Sequence, residues 1–262
     1  MKLGRKQALT KDKWDAVMRD IEQTIPTNVL EQRISKTVSE IQAASETHKL
    51  GIAWSGGKDS IALEWIMAQA GAFPSVLAVT NLEFTEFTEW VKANAPQNLT
   101  IINTGQDLEW LSTRPHMLFP ETKDAGKWFR LVQHKAQAKY FKDNHLDAIC
   151  LGRRTQDGNY TGGKGKNWYT SKGITRWSPI ADWTHEEVIA LMKYAHLELP
   201  PIYSHPRGFE VGTGAWAARG GTSPNPNHPN YGWAEIHHIQ PDLVHQSADW
   251  NLPGAKDYLK GI

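Results

Sequence analysis

Residues 51–60 read GIAWSGGKDS, and the fold turns on how this stretch is understood. The apolar run Leu50 to Trp54 has the length and composition of a buried strand, and Ile61, Ala62, Leu63, Trp65, Ile66 and Met67 carry the apolar content on into a helix. Between them lie Ser55, Gly56, Gly57, Lys58, Asp59 and Ser60. Paired glycines let the backbone turn without a Cβ penalty, so several N–H groups can converge on an anion at the helix N-terminus, where the dipole adds about half a positive charge. Lys58 brings a full charge, and Ser55 and Ser60 bring hydroxyl donors. The expectation is a phosphate cradle. The plain alternative, a glycine-rich turn that binds nothing, suits a lone glycine pair better than this strand, loop and helix in sequence. The spacing is not that of the Walker loop, which places four residues between its first glycine and its Gly-Lys pair.

Working outward, strand and helix patterns alternate from Lys49 onward. Strands are expected at Ser75 to Thr80, Leu99 to Asn103, Leu146 to Leu151 and Gly173 to Ile180. Helices are expected at Glu86 to Ala93, Lys127 to Asp143 and Glu186 to Ala195, with a broken helical region from Asp107. Such alternation predicts an α/β fold with a doubly wound, mostly parallel five-stranded sheet over residues 49–219. Upstream, residues 1–48 carry apolar stripes (Trp14, Val17, Met18 and Ile21, then Leu30, Ile34, Val38 and Ile41) that predict an N-terminal helical cap on the sheet. The alternative for these stripes is a contact between copies of the chain, giving a homo-oligomer. Downstream, the turn-rich run 220–232 leads to an expected irregular C-terminal tail over 220–262.

Composition narrows the function. A chain of 262 residues with net charge +1 gives no global electrostatic reason to bind nucleic acid and leaves only a local patch open. Apolar runs fall well short of the roughly eighteen residues that span a bilayer, so no membrane association is expected and the expected location is cytoplasmic. The one cysteine, Cys150, excludes an internal disulfide, a CxxC redox pair and a cysteine-ligated cluster within one chain, and its place inside an apolar strand reads as a buried structural thiol.

Three ordered segments carry a resemblance to a known family. SGGKDS after a hydrophobic strand resembles the PP-loop of the ATP pyrophosphatase superfamily (adenine nucleotide alpha hydrolase-like). This group includes PAPS reductases, ATP sulfurylase small subunits, FAD-forming adenylyltransferases and tRNA thiolases. Asn81 to Glu86 (NLEFTE) is similar to the DTGxxFxET segment of PAPS reductases, with Asn81 in place of the aspartate. Gly152 to Asp157 (GRRTQD) is similar to their arginine segment. A longer stretch, SPIADWTHEEVIALMKYAHLELPPIY, matches the family at Pro179, Ile180, Asp182, Trp183, Thr184, Glu187, Val188, Pro200 and Tyr203. Thr184 and Glu187 also explain themselves as a capping box.

The resemblance implies that an adenine nucleotide, ATP or PAPS/APS, is held by Ser55, Gly56, Gly57, Lys58, Asp59 and Ser60, with Asn81, Phe84 and Glu86 near the adenine. It implies Mg²⁺ as a companion of the phosphates, and Lys58, Arg153 and Arg154 as the catalytic cations. Arginine suits phosphate because it stays charged and presents a planar fork of donors. For Arg153 and Arg154 the ordinary alternative is a solvated pair.

Departures from the family steer the choice of activity. The cysteine motif with which thioredoxin-dependent PAPS reductases attack sulfonate is missing from this chain, as are the cysteine sets of the cluster-bearing and thiolating members. The expected function is therefore adenylation of an acceptor by cleavage of ATP between the α and β phosphates. The alternatives are a PAPS/APS-binding reductase-like protein served by an external thiol, and a non-catalytic nucleotide-binding or structural protein. Residues 157–172 (DGNYTGGKGKNWYTSK) lack apolar periodicity and are expected to form a mobile lid. In it Lys164, Lys166 and Trp168 would meet a small-molecule acceptor or single-stranded nucleic acid. His237, His238 and His245 lack any metal-ligand spacing, so no protein-held metal is expected.

Overall fold

The computed structural model describes residues 11–120, 122–163, 167–219 and 231–262. Three helices, α1 (Lys11–Arg19), α2 (Ile21–Thr24) and α3 (Thr27–Ser45), precede β1 (Leu50–Ala53). The alternating part follows as α4 (Lys58–Ala70), β2 (Ser75–Val79), α5 (Thr85–Asn94), β3 (Leu99–Asn103), α6 (Leu108–Ser112), α7 (Thr122–Phe129), α8 (Lys135–Asp143) and β4 (Ala148–Leu151). Then come β5 (Trp168–Ser171), β6 (Ile174–Trp177), α9 (His185–Tyr194), α10 (Gly208–Val211), α11 (Tyr231–Ile239), α12 (Pro241–Asp249) and α13 (Ala255–Lys260). The sheet order is β3-β2-β1-β4-β6-β5, parallel throughout except for the β5/β6 pair. Chain progression reverses between β1 and β4, and at such a reversal the loops leaving the strand ends part to form a crevice.

The sheet has six strands where five were expected. Lys172 (φ 52°) and Gly173 (φ 72°) make a two-residue turn with both residues in the left-handed region, and Ser171 faces Ile174 across it. This is the geometry that suits the twist of a tight hairpin. It folds β5 back on β6 and stacks Trp168 on Trp177 at 4.6 Å. Residues 168–172 are thus an edge strand and turn, correcting the expectation of a lid through Lys172. Lys164 and Lys166 lie outside the described residues.

β4 is buried on both faces, and its alternation sorts the core. Ala148 and Cys150 belong to the large core shared with α3, α4 and α9, whereas Ile149 and Leu151 join the smaller one with Val76, Tyr140, Leu146 and Ile174. The N-terminal stripe is covered by the chain itself. Leu30, Ile34 and Ile41 are buried, the Trp183 indole N–H donates to Thr37 Oγ1 at 3.1 Å, and Arg33 reaches Asp182 at 3.0 Å. The expected capping box is present at Thr184 and Glu187.

The expected irregular tail is also corrected: residues 231–260 form three helices. Trp233, Ile236, Leu243, Val244, Ala248 and Leu252 are buried at helical spacings that the turn-rich run before them obscures. Among the described residues no helix is long and apolar enough to cross a membrane.

Candidate functional site

The cradle is built as its residues suggest. Gly56 turns at φ 67°, where an added Cβ would stand 2.8 Å from the Phe87 ring, so only glycine fits the turn. The Ser60 hydroxyl accepts the Ser55 N–H at 3.0 Å and donates to the Gly57 carbonyl at 2.9 Å, tying the loop to the first turn of α4. At the helix N-terminus the Lys58 N–H donates to the Tyr203 hydroxyl at 3.0 Å, and the Thr213 hydroxyl donates to the Ser55 carbonyl at 2.8 Å. Gly152, at the end of β4, packs backbone against backbone. A Cβ there would lie 2.8 Å from the Asp59 carbonyl, which is why the arginine segment can sit directly on the loop.

Lys58 does not project into solvent. Its side chain is buried and its Nζ lies 2.6 Å from Asp59 Oδ2. Burial pulls the ammonium below the usual lysine range, against the opposing pull of Asp59.

The two arginines part company. Arg154 is fully buried: Nε donates to Asp59 Oδ1 at 2.8 Å, and Nη2 donates to Asp157 Oδ1 at 3.0 Å and to His185 Nδ1 at 2.8 Å. Because guanidinium can only donate, His185 Nδ1 must accept, which leaves the ring proton on Nε2, 3.2 Å from Asp157 Oδ1. Burial works to raise the Asp157 carboxyl, yet His185, Arg154 and Lys58 together hold it below the usual range. Arg153 instead turns to the opposite side of the sheet, where its Nη1 donates to the Tyr169 hydroxyl at 2.7 Å.

A cavity of about 720 Å³ opens over the ends of β1, β2 and β4. Ser55, Gly57, Asp59, Ser60 and Arg153 line its polar end, and Val76, Leu77, Phe87, Trp128 and Val132 its apolar part. A smaller cavity of about 210 Å³ adjoins it at the loop, between Lys58, Tyr203 and the Trp14–Phe209 stack. The remaining expected residues stand apart from both. The Asn81 side-chain Oδ1 accepts from Asn103 Nδ2 at 2.6 Å, Phe84 is buried beneath the Arg219 guanidinium, Glu86 pairs with His205 at 3.0 Å, and Trp168 packs on Trp177. Arg154 likewise lines neither.

Three features escape a reading by motif. Glu83 lines the large cavity, and burial pushes its carboxyl up to about 7 despite two bonds from Thr80, both of which fall on Oε1. Tyr203 caps the loop, and its only sequence signal is membership of the longest matching stretch. Arg207 and Arg219 line the large cavity and are both clamped by Glu235 of α11, each at 2.9 Å, so the helical tail forms part of the wall.

No group of three or more His, Cys, Asp or Glu side chains converges among the described residues, and both Asp59 oxygens are engaged. Among the described residues the side chains therefore form no Mg²⁺ site of their own at the loop.

A family model for the phosphoadenosine phosphosulfate reductase domain matches residues 49–210. The chain belongs to this family. Membership and the cradle together support a nucleotide-binding role, and the family is one of enzymes. Among solved structures, the chain is similar to the phosphoadenylyl-sulfate reductase from Candida auris in its phosphate complex, with 16% identity, 80% of this chain and 97% of that one covered, and a TM-score of 0.49. It is also similar to the U34-tRNA thiolase NcsA from Methanococcus maripaludis with its [4Fe-4S] cluster, with 13% identity, 88% and 79% covered, and a TM-score of 0.35. No curated protein matches.

Proposed function

We propose that this member of the PAPS reductase family binds ATP with its phosphates at Ser55 to Ser60 and its base in the apolar part of the large cavity, and adenylates an acceptor. In this reaction a nucleophilic atom of the acceptor bonds to the α-phosphorus, the α–β phosphoanhydride bond breaks, and pyrophosphate leaves with the bridging oxygen. Loop N–H groups, the Ser55 hydroxyl and the Lys58 ammonium stabilise the charge that gathers on the leaving group, while the Ser60 hydroxyl, engaged with the Gly57 carbonyl, holds the loop in shape. Arg153, at the cavity rim, steadies the α-phosphate or the acceptor.

One observation carries the choice of this reading within the family: Cys150, the chain's one cysteine, is wholly buried in β4 and burial raises its thiol well above the usual range. A thiol that is buried and held in its protonated form is poorly suited to attack a sulfonate. The cradle, by contrast, opens on a cavity of nucleotide size. The test is pyrophosphate release from ATP across candidate acceptors. Release that depends on Lys58 supports the reading; no release, with tight PAPS binding and sulfite formation on adding a thiol reductant, replaces it. Family membership favours that second reading, a sulfonucleotide site served by an external thiol.

A further inference from the structure

One surface borders the nucleotide site and shares Arg153 and Phe129 with its rim. Where β4 ends and the β5/β6 hairpin begins, Arg153 Nη1 bonds the Tyr169 hydroxyl at 2.7 Å and approaches the Tyr160 carbonyl at 3.5 Å. The Tyr160 and Tyr169 rings meet edge to face at 5.0 Å, and the Arg176 guanidinium stands 5.9 Å over the Tyr169 ring. Tyr160 is 61% exposed, and Phe129, which lines both cavities, is 43% exposed. Directly after Phe129 the helix passes through a π turn, Arg130–His134, a local irregularity frequent at functional sites. The field at His134 reports what surrounds it. Beyond burial, Arg176, Arg153, Lys172 and Arg130 all act to remove its proton. Arg130 directly follows Phe129, Lys172 closes the turn of the strand that carries Tyr169, and Arg153 bonds Tyr169; Arg130 and Lys172 are exposed and Arg153 is half-buried, so three cations from three separate elements reach solvent near this lip.

We infer that this lip is a docking surface for single-stranded nucleic acid. Spaced cations that track a phosphate backbone, interleaved with exposed aromatic faces, are what unpaired bases require. The net charge of only +1 makes the clustering local. A duplex hides its base faces and would leave Tyr160 and Phe129 without partners. Only in naming the bound strand as the acceptor does the inference rest on the adenylation reading above; the binding stands or falls by itself.

The test uses the full chain and a fluorescein-labelled oligothymidylate of about twelve nucleotides, with the matching duplex as control, read by anisotropy. The single strand should bind and the duplex should bind at least about tenfold more weakly. With three solvent-reaching cations, the log–log salt slope should be about −2, an affinity loss of about 20-fold between about 50 and 200 mM salt. Tyr160→Ala should weaken binding about tenfold. The double variant Arg130→Gln, Lys172→Asn, in which asparagine suits the left-handed turn position, should flatten the slope to about −0.7 and leave ATP affinity unchanged.

The inference is overturned if a preparation that binds ATP ignores the strand at low salt, if duplex or polyglutamate binds equally well, or if these variants bind the strand as the parent does. ATP affinity measured calorimetrically on the same preparation separates the two proposals. Strand binding without ATP binding sinks the adenylation reading and leaves the surface standing.

Discussion

Arg153 and Arg154 are neighbours in sequence and belong to different regions of the molecule. Below the cradle, Arg154 is sealed among Asp59, Asp157 and His185, bonded through Nε and Nη2 while its buried Nη1 has no hydrogen-bond partner. At the mouth, among the described residues Arg153 is held by a tyrosine hydroxyl and a carbonyl, with no carboxylate beside it, and its charge is available to an anion. The cause is strand parity. Cys150, Gly152 and Arg154 follow the face covered by α4 and α9, which supply Asp59 and His185; Leu151 and Arg153 follow the face of α8 and the hairpin. Adjacent identical residues thus become, respectively, a strut under the loop and a rim charge.

The largest effect should come from removing the strut. Arg154→Met leaves buried Asp157 with His185 and the more distant charge of Lys58, and strips Asp59 of one partner, so stability should fall by about 3–5 kcal/mol. Arg153→Met should change stability by no more than about 0.5 kcal/mol while weakening nucleotide or acceptor binding. Chemical denaturation of the pair measures the contrast directly. Equal midpoints would abolish the distinction between the two regions.

Lys58 lies on the border between them, buried like the strut yet part of the cradle. Lys58→Met removes a desolvated ammonium, so the fold should survive, and Asp59 keeps Arg154. Losing charge-assisted bonds to phosphate should weaken nucleotide binding by about 1.5–3 kcal/mol. Calorimetric titration of a folded variant with unchanged affinity would remove Lys58 from the cradle.

Glu83 extends the comparison to the cavity wall, where among the described residues no cation pairs with this buried carboxyl. Its folded-state value of about 7 exceeds the ordinary 4.5, so the native state binds the extra proton between those limits, and stability drops as pH rises through that window. Glu83→Gln keeps an acceptor for Thr80 and should be more stable than the parent by on the order of 2 kcal/mol above about pH 7.5, with no difference below about pH 4. Denaturant midpoints across that range check the sign.

Much of this was legible in the sequence, for physical reasons. The strand, glycine turn and helix of residues 50–67 specify one another locally, and alternation then dictates a parallel sheet. Residues drawn together from distant segments were not legible: Glu235 reaches Arg207 and Arg219 from a helix hidden behind a turn-rich run, and Tyr203 reaches the Lys58 N–H across 145 positions. Asn81, Phe84 and Glu86 matched a motif yet spend their side chains on Asn103, Arg219 and His205. The arginine pair lay between these cases, since the parity of β4 was readable but nothing local said which face carried the acids. The hairpin escaped because Lys-Gly is a weaker turn signal than Asn-Gly.

The smallest effect concerns the face that Arg154 shares. Cys150 pairs with Ile52 across the β1/β4 ladder and is wholly buried, two residues before Gly152 meets the loop. Its replacement by alanine removes one sulfur from a close-packed layer, which should lower stability by about 1 kcal/mol, far less than loss of the strut. Pyrophosphate release should be unchanged, because neither the cradle nor the rim touches the thiol. A water-soluble maleimide should leave the native chain unlabelled and label it fully in denaturant. Rapid labelling of the native chain, or loss of turnover in a stable Cys150→Ala variant, would mean that this face opens during the reaction. The buried strut would then be a moving part, and the thiol chemistry of the family would return to this chain.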